Sequence, residues 1–346
     1  MDRISYFIRR LLLVIPTFFG ITISCFVICQ FVPGGPVEQF MMNMRGIGSA
    51  EAGSRLPSES ISEKQREALE KHFGFDKPIL IRYWNWLVRD RMGMMVDSYK
   101  YTHKTVWELI KERFPISLTF GLAGFLLTYL ICIPLGIAKA LRNGKPFDVV
   151  SSIIVFMGYA IPAFAFGMLL KMVFCGTSEQ FFDIFPLGGF RSENFASLSV
   201  TQKIQDQFMH MFLPVLCYVI GNFAVLTLLM KNSLLEQINQ DYIRTVLAKG
   251  GTLKRAIWRH AFRNALIPIA TGFGSIMTFM FSGSVLIEKV FDIHGMGLLS
   301  LDAIIDRDYM VFMGILALTS ILGLIGRILS DFCYVLIDPR IDFEKG

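Results

Sequence analysis

Six stretches of the chain are apolar and free of charge, and they alternate with blocks dense in Lys, Arg, Asp and Glu: residues 11–32, 114–138, 149–170, 211–230, 265–287 and 309–326, the last extendable past Arg327 to about residue 337. A helix rises about 1.5 Å per residue, so roughly 20 apolar residues cross a hydrocarbon core of about 30 Å. Each run therefore predicts a membrane-spanning helix. No run alternates apolar and polar positions with the period of two that a lipid-facing barrel strand needs. Pro16, Pro134, Pro162, Pro214 and Pro268 fall inside the runs. Membrane helices tolerate such prolines because neighbouring groups re-satisfy the freed carbonyls. The first run follows Arg3, Arg9 and Arg10 as a signal peptide would, but it is long and no A-x-A site follows it. It reads as a retained first helix.

Composition agrees with a membrane protein. Hydrophobic residues make up 53% of the 346 residues and charged residues 18%, below the roughly 25% charged of soluble domains, and mean hydropathy is +0.51. The net charge of +6 is explained by the bias of Lys and Arg toward cytoplasmic loops rather than by nucleic acid. With the N-terminus inside, the segments 1–10, 139–148, 231–264 and 338–346 hold fifteen Lys and Arg, against five in the outer segments 171–210 and 288–308 of nearly equal total length. Both termini are thereby placed in the cytoplasm. The sequence predicts an all-α integral membrane protein with six transmembrane helices and a small extracytoplasmic domain between helices 1 and 2. Its parts are an N-terminal segment with the first helix (1–32), the extracytoplasmic domain (33–113), a five-helix core (114–337) carrying an inner loop (231–264), and a cytoplasmic tail (338–346). In the outer domain, Ser60-Ile61-Ser62-Glu63 has the spacing of a capping box and predicts a helix over 62–73. Trp84, Trp86 and Leu87 form an aromatic patch suited to the membrane interface or to a partner.

The chain lacks the motifs of several chemistries. It has no G-x-x-x-x-G-K-[ST], H-E-x-x-H, G-x-S-x-G or G-x-G-x-x-G pattern, and its six cysteines and five histidines show no metal-ligand spacing. No catalytic residue, metal site or bound cofactor is predicted, and the chain reads as a non-enzyme. Asp302, Asp306 and Asp308 read as a solvated acidic loop, Lys171 as an outer-end snorkelling residue, and Arg327 with Asp331 as an internal ion pair. The informative stretch is the inner loop. Gly250-Gly251 breaks it, since glycine ends helices by adopting positive φ. A short helix is predicted on each side, with Tyr242, Val246 and Leu247 on the apolar face of the first and Leu253, Ile257, Trp258 and Ala261 on that of the second. Such a unit docks into a groove on a soluble partner or rests on anionic lipid, and the residues alone leave both open.

Across essentially the whole chain these motifs resemble the permease subunits of binding-protein-dependent ABC importers, in the dipeptide/oligopeptide branch and most like its microcin C/peptide subgroup. The residues that carry the resemblance are Arg9-Arg10-Leu11-Leu12 with Pro33-Gly34-Gly35-Pro36, then Phe73-Gly74-Phe75-Asp76-Lys77-Pro78, and Gly158-Tyr159-Ala160-Ile161-Pro162. Asp241 through Gly250 with Arg263-Asn264-Ala265-Leu266-Ile267-Pro268 is similar to the EAA-type cytoplasmic loop, and Gly283 through Glu288, Phe291, Gly295, Gly297, Arg307-Asp308-Tyr309 and Asp338-Pro339-Arg340 complete the set. Two positions depart from the family pattern: Val246 stands where the peptide branch usually has Ala, and Met310 replaces a frequent proline.

The resemblance implies a bacterial inner-membrane, multi-pass permease that imports peptides or peptide-like compounds by alternating access. It implies as partners a second permease subunit, one or two ABC ATPase subunits holding ATP and Mg, and a periplasmic peptide-binding protein, with membrane lipid around the chain and no nucleic acid. It also makes the inner loop a coupling element to the ATPase, through Asp241, Tyr242, Arg244, Thr245, Ala248, Lys249, Gly250, Gly251 and Arg255. A wet, partly polar path for peptides selects Ser117, Tyr159, Asn222, Thr227, Ser275, Thr278 and Ser282 as lining candidates, with Thr119 and Ser284 beside them; helix–helix packing is the alternative account of such residues. The rival function is an ion-gradient-driven secondary transporter, which predicts charge relays or repeat symmetry, and the sequence shows neither. An intramembrane enzyme would need a catalytic pair at membrane depth, such as two Asp or a Ser with a base; the six runs offer no acidic pair, and His210 only borders its run.

Overall fold

The computed structural model describes residues 3–31, 76–101, 103–176, 182–270, 272 and 283–337. Among these, regular structure is helical, apart from two isolated β-bridges, Asp97 to Thr105 and Cys175 to Asp183. The expected helix over 62–73, the motif at 33–36, most of the fifth apolar run and the tail 338–346 lie outside the described residues.

In chain order the helices are α1 (Arg3–Phe31), α2 (Ile79–Trp84) running into a wide turn Asn85–Arg89, α3 (Val106–Leu141), α4 (Pro146–Ala160), α5 (Ala163–Phe174), α6 (Val200–Ile238) and α7 (Asp241–Ala248). They continue with α8 (Leu253–Ala256), a wide turn Ile257–Ala261, α9 (Phe262–Ala265), α10 (Val285–Val290), α11 (Met296–Ile305) and α12 (Tyr309–Ile337). Of these, α1, α3, α6 and α12 are each long and apolar enough to cross a bilayer, and α4 with α5 makes a further span if counted together. The third apolar run is thus not the single straight helix the sequence predicts, because α4 and α5 meet at 92°. Pro162 is the cause. The residue before a proline is driven out of the α region, and Ile161 is extended at φ −95°, ψ 122°. Other ends also follow sequence chemistry. Pro146 opens α4 from the first helical position. Ser199 and Gln202 close a reciprocal capping box at the start of α6.

The chain divides into two compact units, one of Met1–Leu11, Arg113–Leu298 and Leu322–Gly346, the other of Leu12–Glu112 and Leu299–Ile321. In the second unit, Tyr83 and Trp86 pack with Phe26, Met313 and Ala317, and the Thr22 hydroxyl lies 2.8 Å from the Tyr83 hydroxyl. The expected aromatic patch is split. Trp86 is buried and Trp84 is 62% exposed, as two residues about 200° apart on a helix must be. Asp308 is also not a solvated loop residue. It accepts from Ser98 Oγ at 2.5 Å and Tyr99 N at 2.9 Å, and it caps α12 through Val311 N. A buried carboxylate is stable only with such donors. Asp306 pairs instead with the exposed Lys100.

The first unit has two apolar clusters. One joins Cys132, Ile137 and Ala140 of α3, Leu226, Met230 and Leu234 of α6, and Ile243, Ala256, Ile257 and Ala261 of the inner loop. The other joins Phe120, Leu213, Cys217, Tyr218, Ile287 and Phe291. Two charge expectations are corrected here. Asp331 is buried and pairs with Arg10, while Arg327, one turn away, is exposed. Lys171 does not snorkel freely, because its ammonium donates to the Val290 carbonyl at 2.8 Å.

Candidate functional site

The inner loop forms the predicted helix–glycine–helix unit. Gly250 ends α7 at φ +83°, with its N–H donating to Leu247 O at 2.9 Å, and Gly251 N donates to Val246 O at 2.9 Å. A Cβ on Gly250 would meet nothing within 4 Å, whereas one on Gly251 would lie 2.7 Å from Val246 O. Gly250 is therefore required by conformation and Gly251 by close approach. Thr252 then caps α8 by accepting from Arg255 N.

The packed faces differ in detail from expectation. Tyr242, Ile243 and Val246 face the core of α3 and α6, while Leu247 is exposed. The packed arc runs from Tyr242 through Val246 to Ile243, which leaves Leu247 just past its edge. In the second half Ala256, Ile257 and Ala261 are buried, and Leu253 and Trp258 are exposed. The Tyr242 hydroxyl donates to Gln237 Oε1 at 2.8 Å and accepts from Asn264 Nδ2 at 3.3 Å. It thereby ties α7 to the end of α6 and to α9. Burial pushes the Tyr242 phenol up, with the Asn264 hydrogen bond opposing. Asp241, Arg244, Thr245, Ala248, Lys249, Gly250 and Arg255 are exposed. Arg244 and Asp241 face each other at 3.5 Å, and Arg255 with Thr252, Lys254, Trp258 and Arg259 lines an open depression. The loop thus presents a mainly basic outer surface on a packed inner face.

Behind it lies a charge node that the sequence analysis missed. Lys139 of α3 is fully buried. Its ammonium donates to Asp148 O at 2.9 Å, Ser151 Oγ at 2.9 Å and Ser152 Oγ at 2.7 Å, and lies 3.1 Å from Asp148 Oδ1. Lys231 of α6 bonds both oxygens of the same carboxylate at 2.8 and 2.7 Å, and Gly144 N adds a third donor. One aspartate on α4 therefore fastens the ends of three helices. The signal was available, since all three residues stand directly at the edge of an apolar run. Run edges normally carry solvated loop charges, and burial is not visible in them.

A second buried carboxylate, Glu288 of α10, accepts from Ser117 Oγ at 2.9 Å and Leu298 N at 2.7 Å, with Gly297 and Ser284 backbone bonds beside them. Burial pushes Glu288 up and these donors oppose it. A Cβ on Gly295 would fall 2.5 Å from both Glu288 Oε1 and Ser117 Oγ. The glycines of this segment therefore let the backbone close around the carboxylate.

The polar positions expected along a path separate accordingly. Ser117 is buried, and its hydroxyl donates to Glu288 and accepts from Met296 N. Thr227 is also buried. Tyr159 is 55% exposed, Asn222 is exposed, and Thr119 bonds back to Pro115 O in its own helix. Ser275, Thr278 and Ser282 lie outside the described residues.

Residues 132–343 match the family model described as binding-protein-dependent transport system inner membrane component. The chain is 41% identical to the inner membrane ABC transporter permease protein YejB of Escherichia coli O157:H7, over 98% of this chain and 99% of that protein. It is 40% identical to the peptidoglycan transport system permease protein YejB of Agrobacterium fabrum, over 99% of each. It is 33% identical to the oligopeptide transport system permease protein AppB of Bacillus subtilis, over 98% of this chain and 99% of that one.

Proposed function

Because the chain belongs to the binding-protein-dependent transport system inner membrane components, we propose that it is the permease subunit of an ATP-driven importer of peptides and peptide-like compounds. The observation that carries this reading is the end-to-end similarity to an ABC transporter permease at 41% identity. Cargo of the oligopeptide and microcin C-like kind follows from the resemblance of the motifs. A relative named for peptidoglycan transport adds peptide-bearing cell-wall fragments to the compounds worth testing.

On this reading the chain has six spans with both termini in the cytoplasm, and it works with a second permease, ABC ATPase subunits that hold ATP and Mg, and a periplasmic binding protein. The helix Asp241–Ala248 sits in a cleft of the ATPase, and Arg244, Lys249 and Arg255 make polar contacts at its rim. Closure of the ATPases on ATP moves this helix. Its packing against α3 and α6 carries the motion into the spans, and the cavity between the two permeases turns from outward- to inward-facing. The chain itself catalyses nothing.

The test is isolation of the complex in mild detergent with uptake measured alongside. A P-loop ATPase and a second permease in fixed proportion, with peptide uptake abolished by ATP depletion, is the expected result. Uptake that ignores ATP and follows an ion gradient would replace the importer with a secondary transporter.

A further inference from the structure

The break between α4 and α5 leaves a non-helical backbone step inside an apolar span. Pro162 has no N–H to offer the carbonyl of Gly158 four residues earlier, and Ile161 is extended. Residues Tyr159, Ala160, Ile161 and Pro162 are all exposed. Irregular backbone at membrane depth persists only where protein buries it or water reaches it, because lipid cannot satisfy a free peptide group.

The depth of the step follows from the charge node. Asp148 and Lys231 are 2.7 Å apart, so they set a common zero of height on α4 and α6. Tyr159 lies eleven residues beyond Asp148 and Asn222 nine residues from Lys231, roughly 16 Å and 14 Å along the two helices. Both heights fall in the middle of a hydrocarbon core of about 30 Å. The two helices touch at this level. A Cβ on Gly158 would lie 3.4 Å from Ile220, and one on Gly221 would lie 3.7 Å from Ala163. Asn222 is an exposed amide whose exposed neighbours one and two turns along α6 are Val225 and Leu229. The positions exposed on α4 before Tyr159, such as Val150 and Ile154, are apolar. An amide, a phenol and a carbonyl without its helical donor thus gather at one level of an otherwise apolar surface.

We propose that the step Gly158–Pro162, with Tyr159 and Asn222, is a wet wall of the transport path that hydrogen-bonds the backbone of a passing peptide. This rests on the import reading and deepens it. The groups are neutral, and together they donate and accept, which matches a peptide amide and ignores its side chain. Such a wall grips any peptide weakly. It also separates the sequence candidates, since Ser117 and Thr227 are buried and do not belong to it.

The test uses the complete transporter in cells, with the native cysteines replaced and single Tyr159→Cys or Asn222→Cys introduced. Ile154→Cys and Leu130→Cys, at exposed apolar positions of unbroken helix, are the controls. A charged, membrane-impermeant thiol reagent is applied from outside to cells and from inside to inverted vesicles. At least a tenfold faster reaction at 159 and 222 than at the controls is expected, slowed several-fold when cells are supplied a tryptic digest of casein. Equal rates at all four positions overturn the proposal. Fast labelling that the digest never slows overturns the cargo contact and makes the step a wet contact with the second permease. Uptake of labelled digest peptides in the same cells reports on import separately, so labelling without uptake would sink the import reading while leaving the wall wet.

Discussion

Replacing Asp148 with alanine removes the one anion shared by the buried Lys139 and the half-buried Lys231. Lys139 keeps the Ser151 and Ser152 hydroxyls and a main-chain carbonyl, so its geometry survives while its charge loses compensation. Lys231 loses both of its bonds to the carboxylate; its side chain is 14% exposed, so water relieves part of that loss. Breaking a buried ion pair from one side costs about 3–5 kcal/mol, and the partial hydration of Lys231 puts this case near the lower end, about 3 kcal/mol. An unfolding entropy of about 2.1 cal/mol/K per residue makes this about 1.4 °C per kcal/mol for a chain of this length, so the unfolding midpoint of the assembled complex in nanodiscs, followed by tryptophan fluorescence, should fall by about 4 °C. The double change Asp148→Ala with Lys231→Met removes the anion together with one of its cations. It should recover about 1 kcal/mol or more of the loss. A single mutant that shifts the midpoint by less than about 2 °C, or a double mutant no more stable than the single, would refute the charge-sharing account.

Gly250 adopts φ +83° in open space, so its substitutions should rank by backbone preference alone: Gly250→Asn near normal, Gly250→Ala weaker, and Gly250→Val inserted but with little ATP-driven peptide uptake. Tyr242→Phe removes a hydroxyl shared by Gln237 and Asn264 and should cost about 1 kcal/mol in the same thermal assay, with uptake lowered more than membrane abundance. Gly295→Ala drives a methyl group against Glu288 and Ser117 and should sharply reduce accumulation. Gly20→Ala, where a Cβ meets nothing within 4 Å, should leave accumulation unchanged. The carboxyl of Glu288 is raised by burial, so the folded state holds its proton more tightly than the unfolded one. Its contribution to stability should fall as pH rises from the ordinary glutamate value of about 4.3 through the raised value, and Glu288→Gln should flatten that slope in pH-dependent melting curves.

Periodicity and charge were enough to find most spans, because a helix long enough to cross a bilayer writes twenty apolar positions in a row. The Gly250-Gly251 break and its flanking helices were equally legible, since positive φ is a property of one residue. Position 162 was harder. Proline inside an apolar run is also compatible with a gentle kink, and the run does not show that Ile161 leaves the helix altogether and that the two halves meet at 92°. The buried charges were the least legible. Lys139, Asp148, Lys231, Glu288 and Asp308 look in sequence like solvated residues at the edges of runs. Their partners lie 83 residues away for the Asp148–Lys231 pair, 171 for Ser117–Glu288 and 210 for Ser98–Asp308, beyond the reach of any local pattern.

The two features nearest the inner loop bear on how motion would pass from the loop into the spans. If α7 were held only by its chain ends, a force on it would be absorbed by the Gly250-Gly251 hinge. It is held instead by Ile243 and Val246 against α3 and α6, and by a hydroxyl bridged to Gln237 and Asn264. Packed interiors transmit displacement because they have few voids to absorb it. Asp148 then joins α4 to the same two helices, through Lys139 and Lys231. A displacement of α7 therefore meets the ends of three helices already fastened to one another, and α3, α4 and α6 respond as one body. The nearest place where this body can yield is the break at Ile161–Pro162, thirteen residues past Asp148. On the proposed reading, that is the level at which the path must open and close.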